Sequence, residues 1–473
     1  MTETLLFAAG VAVSLAASWL LVSRLERLGE RAGFSEAWLG LVAALAADAP
    51  EITSAVTALA RGQPSVGAGV VIGSNVFNLA ALLGLAAVVA GRIAFHRRVV
   101  LLGGVPGVWV AVVTLLTVTV VAPAAGLALT AVVFGPYVAV LGMRRARVES
   151  LPLPGRWTRW LVAAIHEEED ELAEAVRPRH GTWRDAVAAG FALITVVGAS
   201  TVMEVTATDL GHRYAVADII TGGLVLAVVT SLPNAVSAVY LAVRGRGAAV
   251  LSIALNSNAI NIVAGLLIPA SLAGLGPPTG QGTLVAAWYA GLTVLALALA
   301  YRGRGLGRAP GAVIIAGYLA FVAALLVSVA RGRIGPVTAI FPAAMIAAAG
   351  ALLLAWPDAR QREESLLPGW SVGRLWRLSL TVSAVIAACD AASGPHLILI
   401  GGLIAGPFCA LLTRRWALTA AATVVALALG GLLGVPDQIF ATATQYALLA
   451  AVAAVGAAAT AGAAVLQRTV SKS

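Results

Sequence analysis

The stretch PEITSAVTALARG, from Pro50 to Gly62, recurs in altered form as PNAVSAVYLAVRG, from Pro233 to Gly245. The two stretches align without a gap, and matched positions lie 183 residues apart. The same offset continues downstream, where GSNVFN (73–78) aligns with NSNAIN (256–261). A constant offset over more than twenty residues indicates an internal duplication.

The composition indicates that most of this chain lies in lipid. Of its 473 residues, 60% are hydrophobic and only 11% are charged, and the mean hydropathy is +0.93. Soluble domains carry about 25% charged residues. The 50 glycines also suit close helix packing within a bilayer. We therefore expect an all-α polytopic membrane protein.

Apolar runs of about 20 residues, the length of a membrane-spanning helix, predict about fifteen spans. They lie at 4–23, 36–60, 66–90, 98–121, 124–142, 186–208, 215–243, 248–272, 282–301, 309–330, 335–356, 374–392, 395–413, 415–434 and 440–466. This pattern divides the chain into a first five-helix repeat (1–142), a cytoplasmic loop (143–185), a second five-helix repeat (186–331) and an extra C-terminal region of about five helices (332–473).

The arginines predict how the spans are oriented. They cluster in alternate loops, as cytoplasmic loops do under the positive-inside rule, so the net charge of +9 does not indicate a nucleic-acid surface. The exceptions are Arg61, Arg213, Arg331 and Arg333. The first span has its arginines after the apolar run and is interpreted as a retained helix. We expect a multi-pass protein of the bacterial plasma membrane, with the N-terminus outside and the C-terminus cytoplasmic.

Five predicted spans separate the two copies of the repeat. Because that number is odd, equivalent helices run in opposite directions, which predicts an inverted 5+5 repeat. Such repeats form a binding site near the membrane midplane from interrupted helices of both halves. Pro50 and Pro233 predict the interruptions, since proline lacks an N–H and disfavours helix in the preceding residue.

Polar side chains accompany these prolines in segments that are otherwise apolar. The first copy carries Ser74, Asn75 and Asn78, and Asp48 and Glu51 precede them by about one helix. These are hard oxygen donors, which suit Na⁺ or Ca²⁺ rather than zinc or copper. A charge at the bilayer centre costs at least about 2.5–3.5 kcal/mol, so two carboxylates there indicate a cation or proton. The alternative is that the serines and asparagines only join neighbouring helices.

The motifs resemble the two alpha-repeats of the calcium/cation antiporter superfamily, which includes the sodium/calcium exchangers. That family pattern runs as GTSLPE on one helix and GSNIFN on the next, once in each half. Here the first half reads AADAPE (46–51) and GSNVFN, and the second reads VTSLPN (229–234) and NSNAIN. The resemblance covers about residues 1–330 and implies a sodium/calcium exchanger-like fold of ten spans.

The resemblance also implies a set of cation-binding positions. They are Ala47, Asp48, Glu51, Ser74, Asn78, Thr230, Ser231, Asn234, Ser257 and Asn261. Glu51 is the implied central acidic ligand, and Asn234 stands where the second half would have its glutamate. Asp48 could restore that charge from a neighbouring position, so Glu51 and Asp48 are the expected metal ligands.

The expected function is secondary-active cation antiport by alternating access, with Ca²⁺ exchanged for Na⁺ or H⁺. Two alternatives stay open: a Na⁺/H⁺ or other monovalent cation exchanger, and a transport-inactive cation-binding sensor. The expected partners are inorganic cations and the lipid bilayer, with no nucleic acid and no cofactor beyond the transported ions. The sequence has no phosphate-binding loop or nucleotide domain, so no enzyme is expected. Oligomeric state is not predicted.

Several acidic residues lie outside these motifs. Glu204 lies within a predicted span, either on an access path or near the outer end in contact with water. Asp218 and Glu36 lie at predicted helix starts and are expected to be interfacial. The cluster HEEEDE (166–171) is a solvated helix face or a cation-sensing patch.

The C-terminal region is expected to pack around the transporter core or a dimer partner. Part of it resembles the four-span membrane modules that precede sensor kinases and phosphatases in actinobacteria. It contains one intramembrane acid, Asp390, and both cysteines, Cys389 and Cys409. The cysteines lie in apolar segments and indicate neither a disulfide framework nor a metal site.

Overall fold

The computed structural model describes residues 2–31, 42, 44–143, 148–150, 155, 157–165 and 182–332. Three groups of predictions lie outside the described residues: the acidic cluster at 166–171, the interfacial Glu36, and the extra C-terminal helices with Asp390, Cys389 and Cys409.

Long apolar helices make up the first half. Its elements are α1 (Thr2–Arg31), α2 (Ala49–Ala60), α3 (Pro64–Asn78), α4 (Ala86–Ala90), β1 (Arg92–Ala94), α5 (Arg97–Thr119) and α6 (Pro123–Leu141). Prolines begin α3 and α6, where the missing N–H has no helical partner to lose. The π-helical turns Leu79–Leu85 connect α3 to α4.

The second half has a similar order of elements. They are α7 (Trp183–Arg213), α8 (Asp218–Ile220), α9 (Ala227–Val243), α10 (Gly247–Ile260), α11 (Ile268–Ala273), α12 (Gly280–Gly303), β2 (Gly305–Gly307) and α13 (Arg308–Ala330). Further π-helical turns connect α8 to α9 (Thr221–Leu226) and α10 to α11 (Asn261–Leu267). A capping box between Thr182 and Asp185 begins α7.

Nine helices of the described residues are long and apolar enough to cross a membrane. They correspond to nine of the ten spans predicted up to residue 330. The remaining prediction, 36–60, is seen only from residue 42 onwards, where residues 44–47 are helical and α2 follows after a single turn residue. The protein is therefore a multi-pass helical membrane protein.

The prolines of the repeat act differently in the two halves. Asp48 forms a turn just before α2, and Pro50 lies in the first turn of that helix. By contrast, α9 runs without a break through Pro233, so the prediction of an interruption there is wrong. The irregular backbone of the second half lies instead at the π-helical turns Thr221–Leu226 and Asn261–Leu267. Such turns are frequent at functional sites.

Glycines allow α3 to pass very close to the π-helical turns Thr221–Leu226, which precede α9. A Cβ atom at Gly73 would lie 2.3 Å from the carbonyl oxygen of Gly223, and one at Gly222 would lie 2.3 Å from that of Val66. Any side chain at these positions would therefore force the helices apart. Small residues allow this kind of close backbone packing in membranes.

Helices α1 and α7 pack against each other in opposite directions. Near one end of the pair, Arg24 contacts Asp185 at 2.9 Å, and near the other end Arg213 contacts Glu3 at 3.3 Å. Arg213 is one of the arginines that lie in loops predicted to be outside, against the positive-inside rule, and Glu3 pairs with it.

The arginine-containing loops at 91–98 and 301–308, which the positive-inside rule predicts to be cytoplasmic, meet in the structure. Strands β1 and β2 pair antiparallel, with Arg92 opposite Gly307. Part of the predicted cytoplasmic loop is also ordered against the core, because residues 157–165 are helical and Trp160, Ala164 and Ile165 are buried. This segment is therefore more than a solvated connection.

Candidate functional site

Four helices, α2, α3, α9 and α10, surround a cluster of buried polar side chains. All the polar residues predicted for the site are at most 2% exposed: Asp48, Glu51, Ser74, Asn78, Thr230, Ser231, Asn234, Ser257 and Asn261. Most other residues of these helices are apolar, so the partners of these side chains come from the cluster, from neighbouring buried polar residues and from the backbone. Ala47, the remaining predicted position, is half-buried.

Asp48 is held by two residues of the second half. Its Oδ1 accepts a hydrogen bond from Asn234 Nδ2 at 2.8 Å and another from Ser257 Oγ at 2.5 Å. Asn234 Nδ2 also lies 3.4 Å from Ser257 Oγ. The two donors fix one carboxylate oxygen of Asp48 and leave the other oxygen directed elsewhere.

Glu51 is held from the second half in a corresponding way. Its Oε1 accepts a hydrogen bond from Ser231 Oγ at 3.0 Å. Because 183 residues separate equivalent positions, Ser231 is the counterpart of Asp48, and Asn234 is the counterpart of Glu51. Each carboxyl group is thus bonded by the neutral counterpart of the other, and both carboxyl groups come from the first half.

Asparagines join α3 to α10 beside these carboxylates. Asn78 Nδ2 donates to Asn258 Oδ1 at 3.1 Å, and Ser257 Oγ lies 3.5 Å from the same nitrogen. Asn261 Nδ2 donates to Asn75 Oδ1 at 3.4 Å. The site is therefore one connected network from Asp48 through Ser257 to Asn78.

Several oxygens of this cluster lack a donor. Within the part of the chain that the structure describes, Asp48 Oδ2, Glu51 Oε2, Asn78 Oδ1 and Asn261 Oδ1 are buried and accept no hydrogen bond. Ser54 Oγ, one turn after Glu51, is also without a partner there. Buried polar atoms are almost always bonded, so this concentration of free acceptors requires an explanation.

These atoms favour a hard cation. Two carboxylate and two amide oxygens are donors that Ca²⁺ and Na⁺ accept. Among the described residues, no group of three or more His, Cys, Asp or Glu side chains is placed to hold a metal.

Three of the predicted site residues make their hydrogen bonds outside the side-chain network. Ser74 Oγ donates to the carbonyl oxygen of Ala227 at 3.4 Å, and Thr230 Oγ1 donates to that of Leu226 at 2.9 Å. The carbonyl oxygen of Ala47 accepts from Ser18 Oγ of α1 at 3.4 Å. These positions border the cluster without joining the side-chain network.

Glu204 of α7 lies apart from the cluster. It is buried, its Oε2 lies 3.4 Å from Arg61 Nη1, and its Oε1 accepts a hydrogen bond from Thr208 at 3.1 Å. Burial and pairing exclude the interpretation of Glu204 as a carboxylate that is simply hydrated. Arg61 also lies 3.8 Å from Asp209, so this second charge exception is likewise paired.

Asp218 was expected to be interfacial. It begins α8, its side chain is 38% exposed, and it lies 2.9 Å from His212. This agrees with an interfacial position.

Two residues of the network were not among the predicted ligands, namely Asn75 and Asn258. They are the last residues of GSN and NSN in the two copies and are also 183 residues apart. The same repeat signal that identified Ser74 and Ser257 could therefore have included them.

The family model for the sodium/calcium exchanger protein matches residues 2–160 and 186–327, well over half of the chain. The chain belongs to the sodium/calcium exchanger family. The matched residues contain both copies of the repeat and every predicted site position. The family consists of exchangers, which agrees with the expectation of a transporter.

Individual relatives are more distant. CaxA of Alkalimonas amylolytica, which is named as an antiporter, is 33% identical over 82 residues, which are 17% of this chain and 26% of CaxA. The crystal structure of the H⁺/Ca²⁺ exchanger CAX matches with a TM-score of 0.55 at 16% identity, covering 75% of this chain and 88% of that one. The sodium-calcium exchanger NCX_Mj, soaked with Na⁺ and Sr²⁺, gives 0.47 at 20% identity over 68% and 98% of the two chains.

The match to CAX shows a shared fold. It confirms the predicted exchanger-like helical architecture, whereas the inverted relation of the two halves and the C-terminal helices stay predictions.

Proposed function

We propose that this exchanger is a secondary antiporter that moves Ca²⁺ against Na⁺ or H⁺ by alternating access. The observation that carries the proposal is the set of buried oxygens without donors, Asp48 Oδ2, Glu51 Oε2, Asn78 Oδ1 and Asn261 Oδ1. A cation coordinated by these atoms would satisfy all four at once. The ordinary cost of burying unpaired polar atoms, about 1–3 kcal/mol each, supports the same assignment.

The side chains of the network divide into two roles in this proposal. Asp48 and Glu51 supply negative charge, and Asn78 and Asn261 supply neutral oxygens. Ser231, together with Asn234 and Ser257, holds the inner carboxylate oxygens through hydrogen bonds of 2.5 to 3.0 Å. We infer that these donors fix the carboxylates while their free oxygens bind the ion.

Exchange rather than simple leakage follows from the charge. With both carboxylates ionised, the site carries two negative charges, which one Ca²⁺, two Na⁺ or two protons would neutralise. An ion-free site would keep those charges in a low-dielectric region, where each costs at least about 2.5–3.5 kcal/mol. The site can therefore change the membrane side that it faces only when it holds cations or protons. Because different ions bind from the two sides, this gives antiport.

We further propose that the halves are inverted repeats in the bacterial plasma membrane, with the N-terminus outside. Reciprocal hydrogen bonds between Asn75 and Asn258, at 2.9 and 3.1 Å, agree with a two-fold relation between the halves. The pairing of β1 with β2 supports a common side for two arginine-rich loops. The paired exceptions Arg61 and Arg213 do not weigh against this orientation.

The test is uptake of radioactive calcium into proteoliposomes under an outward Na⁺ gradient and, separately, under a pH gradient. Uptake driven by sodium supports Na⁺/Ca²⁺ exchange, and uptake driven only by the pH gradient supports H⁺/Ca²⁺ exchange. Absence of calcium flux under both gradients would overturn calcium antiport. Sodium flux against protons would then support a monovalent exchanger, and binding without any flux would support a sensor.

A further inference from the structure

Asn75 and Asn258 fix each other's side chains where α3 meets α10. Asn75 Nδ2 donates to the main-chain oxygen of Asn258 at 2.9 Å, and Asn258 Nδ2 donates to that of Asn75 at 3.1 Å. Both side chains are buried. A main-chain carbonyl can only accept a hydrogen bond. Each amide nitrogen must therefore face the opposite backbone, and each Oδ1 must face away from it.

The fixed oxygens then determine how two neighbouring amides are turned. Asn258 Oδ1 accepts from Asn78 Nδ2 at 3.1 Å, and Asn75 Oδ1 accepts from Asn261 Nδ2 at 3.4 Å. Because the nitrogen and the oxygen of an amide lie on opposite branches, Asn78 and Asn261 must direct their Oδ1 atoms away from this pair. Both of these oxygens are buried and have no donor among the described residues.

We propose that Asn75 and Asn258 are positioning residues that hold Asn78 Oδ1 and Asn261 Oδ1 toward the transported cation. This inference rests on the proposed cation site. Without the pair, either ligand amide can rotate and present its nitrogen, whose two hydrogens repel a cation. Residues behind the direct ligands of a metal commonly fix ligand orientation in this way, and their loss lowers affinity by about 10- to 100-fold.

The first-half member of the pair has an additional support. The hydroxyl of Tyr289, a fully buried residue of α12, hydrogen-bonds the Asn75 side chain. Removing only that hydroxyl leaves the bond from Asn75 to the Asn258 backbone in place. Tyr289→Phe is therefore a milder probe of the same orientation, with little change in packing.

The experiment compares Asn75→Ala and Asn258→Ala with the matched control Asn256→Ala. Asn256 is a buried amide of α10 that bonds Tyr137 and Ser252, at 2.9 and 3.0 Å, rather than the ligand amides. Calcium uptake by proteoliposomes gives the half-saturating Ca²⁺ concentration and the maximal rate. The thermal midpoint of each purified protein is measured with and without Ca²⁺ and Na⁺.

We expect the half-saturating Ca²⁺ concentration to rise about tenfold in Asn75→Ala and Asn258→Ala. The maximal rate should stay within about twofold, because the carboxylates are untouched, and Asn256→Ala should match the wild type in both. For Tyr289→Phe we expect a rise of about threefold. If the alanine variants do not fold, Asn75→Ser and Asn258→Ser, which keep a small polar side chain, are measured instead. An unchanged half-saturating Ca²⁺ concentration in both would overturn the proposal.

Equal effects of Asn75→Ala and Asn256→Ala on calcium affinity would also overturn it, since the role would then be structural. So would a loss of maximal rate at unchanged affinity. The result also separates this proposal from the proposed cation site. If neither Ca²⁺ nor Na⁺ changes the thermal midpoint of the wild type and it takes up no calcium, both proposals are refuted. If the wild type responds and the variants match it, only the positioning role of Asn75 and Asn258 is refuted.

Discussion

The two copies of the repeat contribute unequally to the same cluster. In the first half, Asp48 and Glu51 bring both carboxylates, and in the second half Ser231 and Asn234 stand at the equivalent positions. Their contacts cross, since Ser231 bonds Glu51 at 3.0 Å and Asn234 bonds Asp48 at 2.8 Å. Charge therefore lies on one half, and the groups that hold it lie on the other.

This difference shows how a duplicated site can lose symmetry and stay chemically complete. A carboxylate at Asn234 would face Asp48 across 2.8 Å, and two carboxylates that close cannot both stay ionised. An amide there donates a hydrogen bond instead. The backbone differs as well, because α2 begins after a turn at Asp48 whereas α9 continues through Pro233.

The largest effect should follow from removing charge on the first half. Glu51→Gln keeps the shape of the side chain and abolishes half of the negative charge, so calcium transport should fall by at least about 100-fold, beyond the loss expected for residues behind the ligands. Radioactive calcium uptake measures this. Glu3→Gln is the matched control, because Glu3 is 41% exposed and pairs with Arg213, and its transport should be normal. Normal transport by Glu51→Gln would contradict the proposed cation site.

Moving charge between the halves tests the crossed contacts directly. The double variant Glu51→Asn with Asn234→Glu conserves composition but sets two carboxylates against each other at Asp48, so it should be as inactive as Glu51→Asn alone. Adding Asp48→Ser and Ser231→Asp moves both carboxylates to the second half and restores the donors. Calcium uptake should then recover to within about tenfold of the wild type, the scale of an imperfect ligand shell.

Recovery already in the double variant would contradict the crossed arrangement, because it would mean that position 234 does not lie against Asp48. Lack of recovery in the four-residue variant, with normal yield and thermal midpoint, would mean that the unequal backbones of α2 and α9 prevent the exchange.

A third test compares two arginines at equivalent repeat positions. Arg61 pairs with the buried Glu204 at 3.4 Å, whereas Arg244 lies over the ring of Tyr240, 4.4 Å from its centre. Arg61→Gln leaves a buried carboxylate without its charged partner and should cost about 1–3 kcal/mol of stability. Arg244→Gln should cost less than about 1 kcal/mol. Thermal unfolding in detergent measures both, and equal losses would contradict a special role for the Glu204 pair.

Much of the fold could be predicted from the sequence because lipid imposes strict lengths on helices. Nine predicted spans agree with the observed membrane-spanning segments to within about five residues at each end, for example 98–121 with Arg97–Thr119. The duplicated motif also predicted which helices meet, since α2, α3, α9 and α10 carry the clustered polar residues. Periodicity and hydropathy contain this information directly.

The details that failed depend on packing rather than local pattern. Proline predicted a break at Pro233, but its helix continues there, and the π-helical turns at Thr221–Leu226 and Asn261–Leu267 carry no proline at all. The roles within each motif were also hidden. Nothing in the letters of GSN distinguishes Ser74, which bonds the backbone of α9, from Asn75, which fixes a neighbouring amide.

The smallest expected effect concerns the carbonyl group of Ala46, which receives no helical hydrogen bond from Pro50 because proline has no N–H. Ser18 of α1 donates to the carbonyl oxygen of Ala46 at 3.3 Å. Ser18→Ala should therefore cost about 1 kcal/mol or less and change calcium affinity by at most about threefold, since the carboxylates keep their donors.

The control is Ser14→Ala, one turn earlier on α1. The Ser14 hydroxyl lies 2.7 Å from the Ser200 hydroxyl and has no contact with the site. Both variants should lose similar stability, but only Ser18→Ala should alter calcium affinity. Should the two change affinity alike, the effect comes from α1 packing against α7 in general. A selective effect of Ser18→Ala would instead mean that the turn at Asp48, which the second half lacks at Pro233, depends on a donor from a neighbouring helix to keep its carboxylate in place.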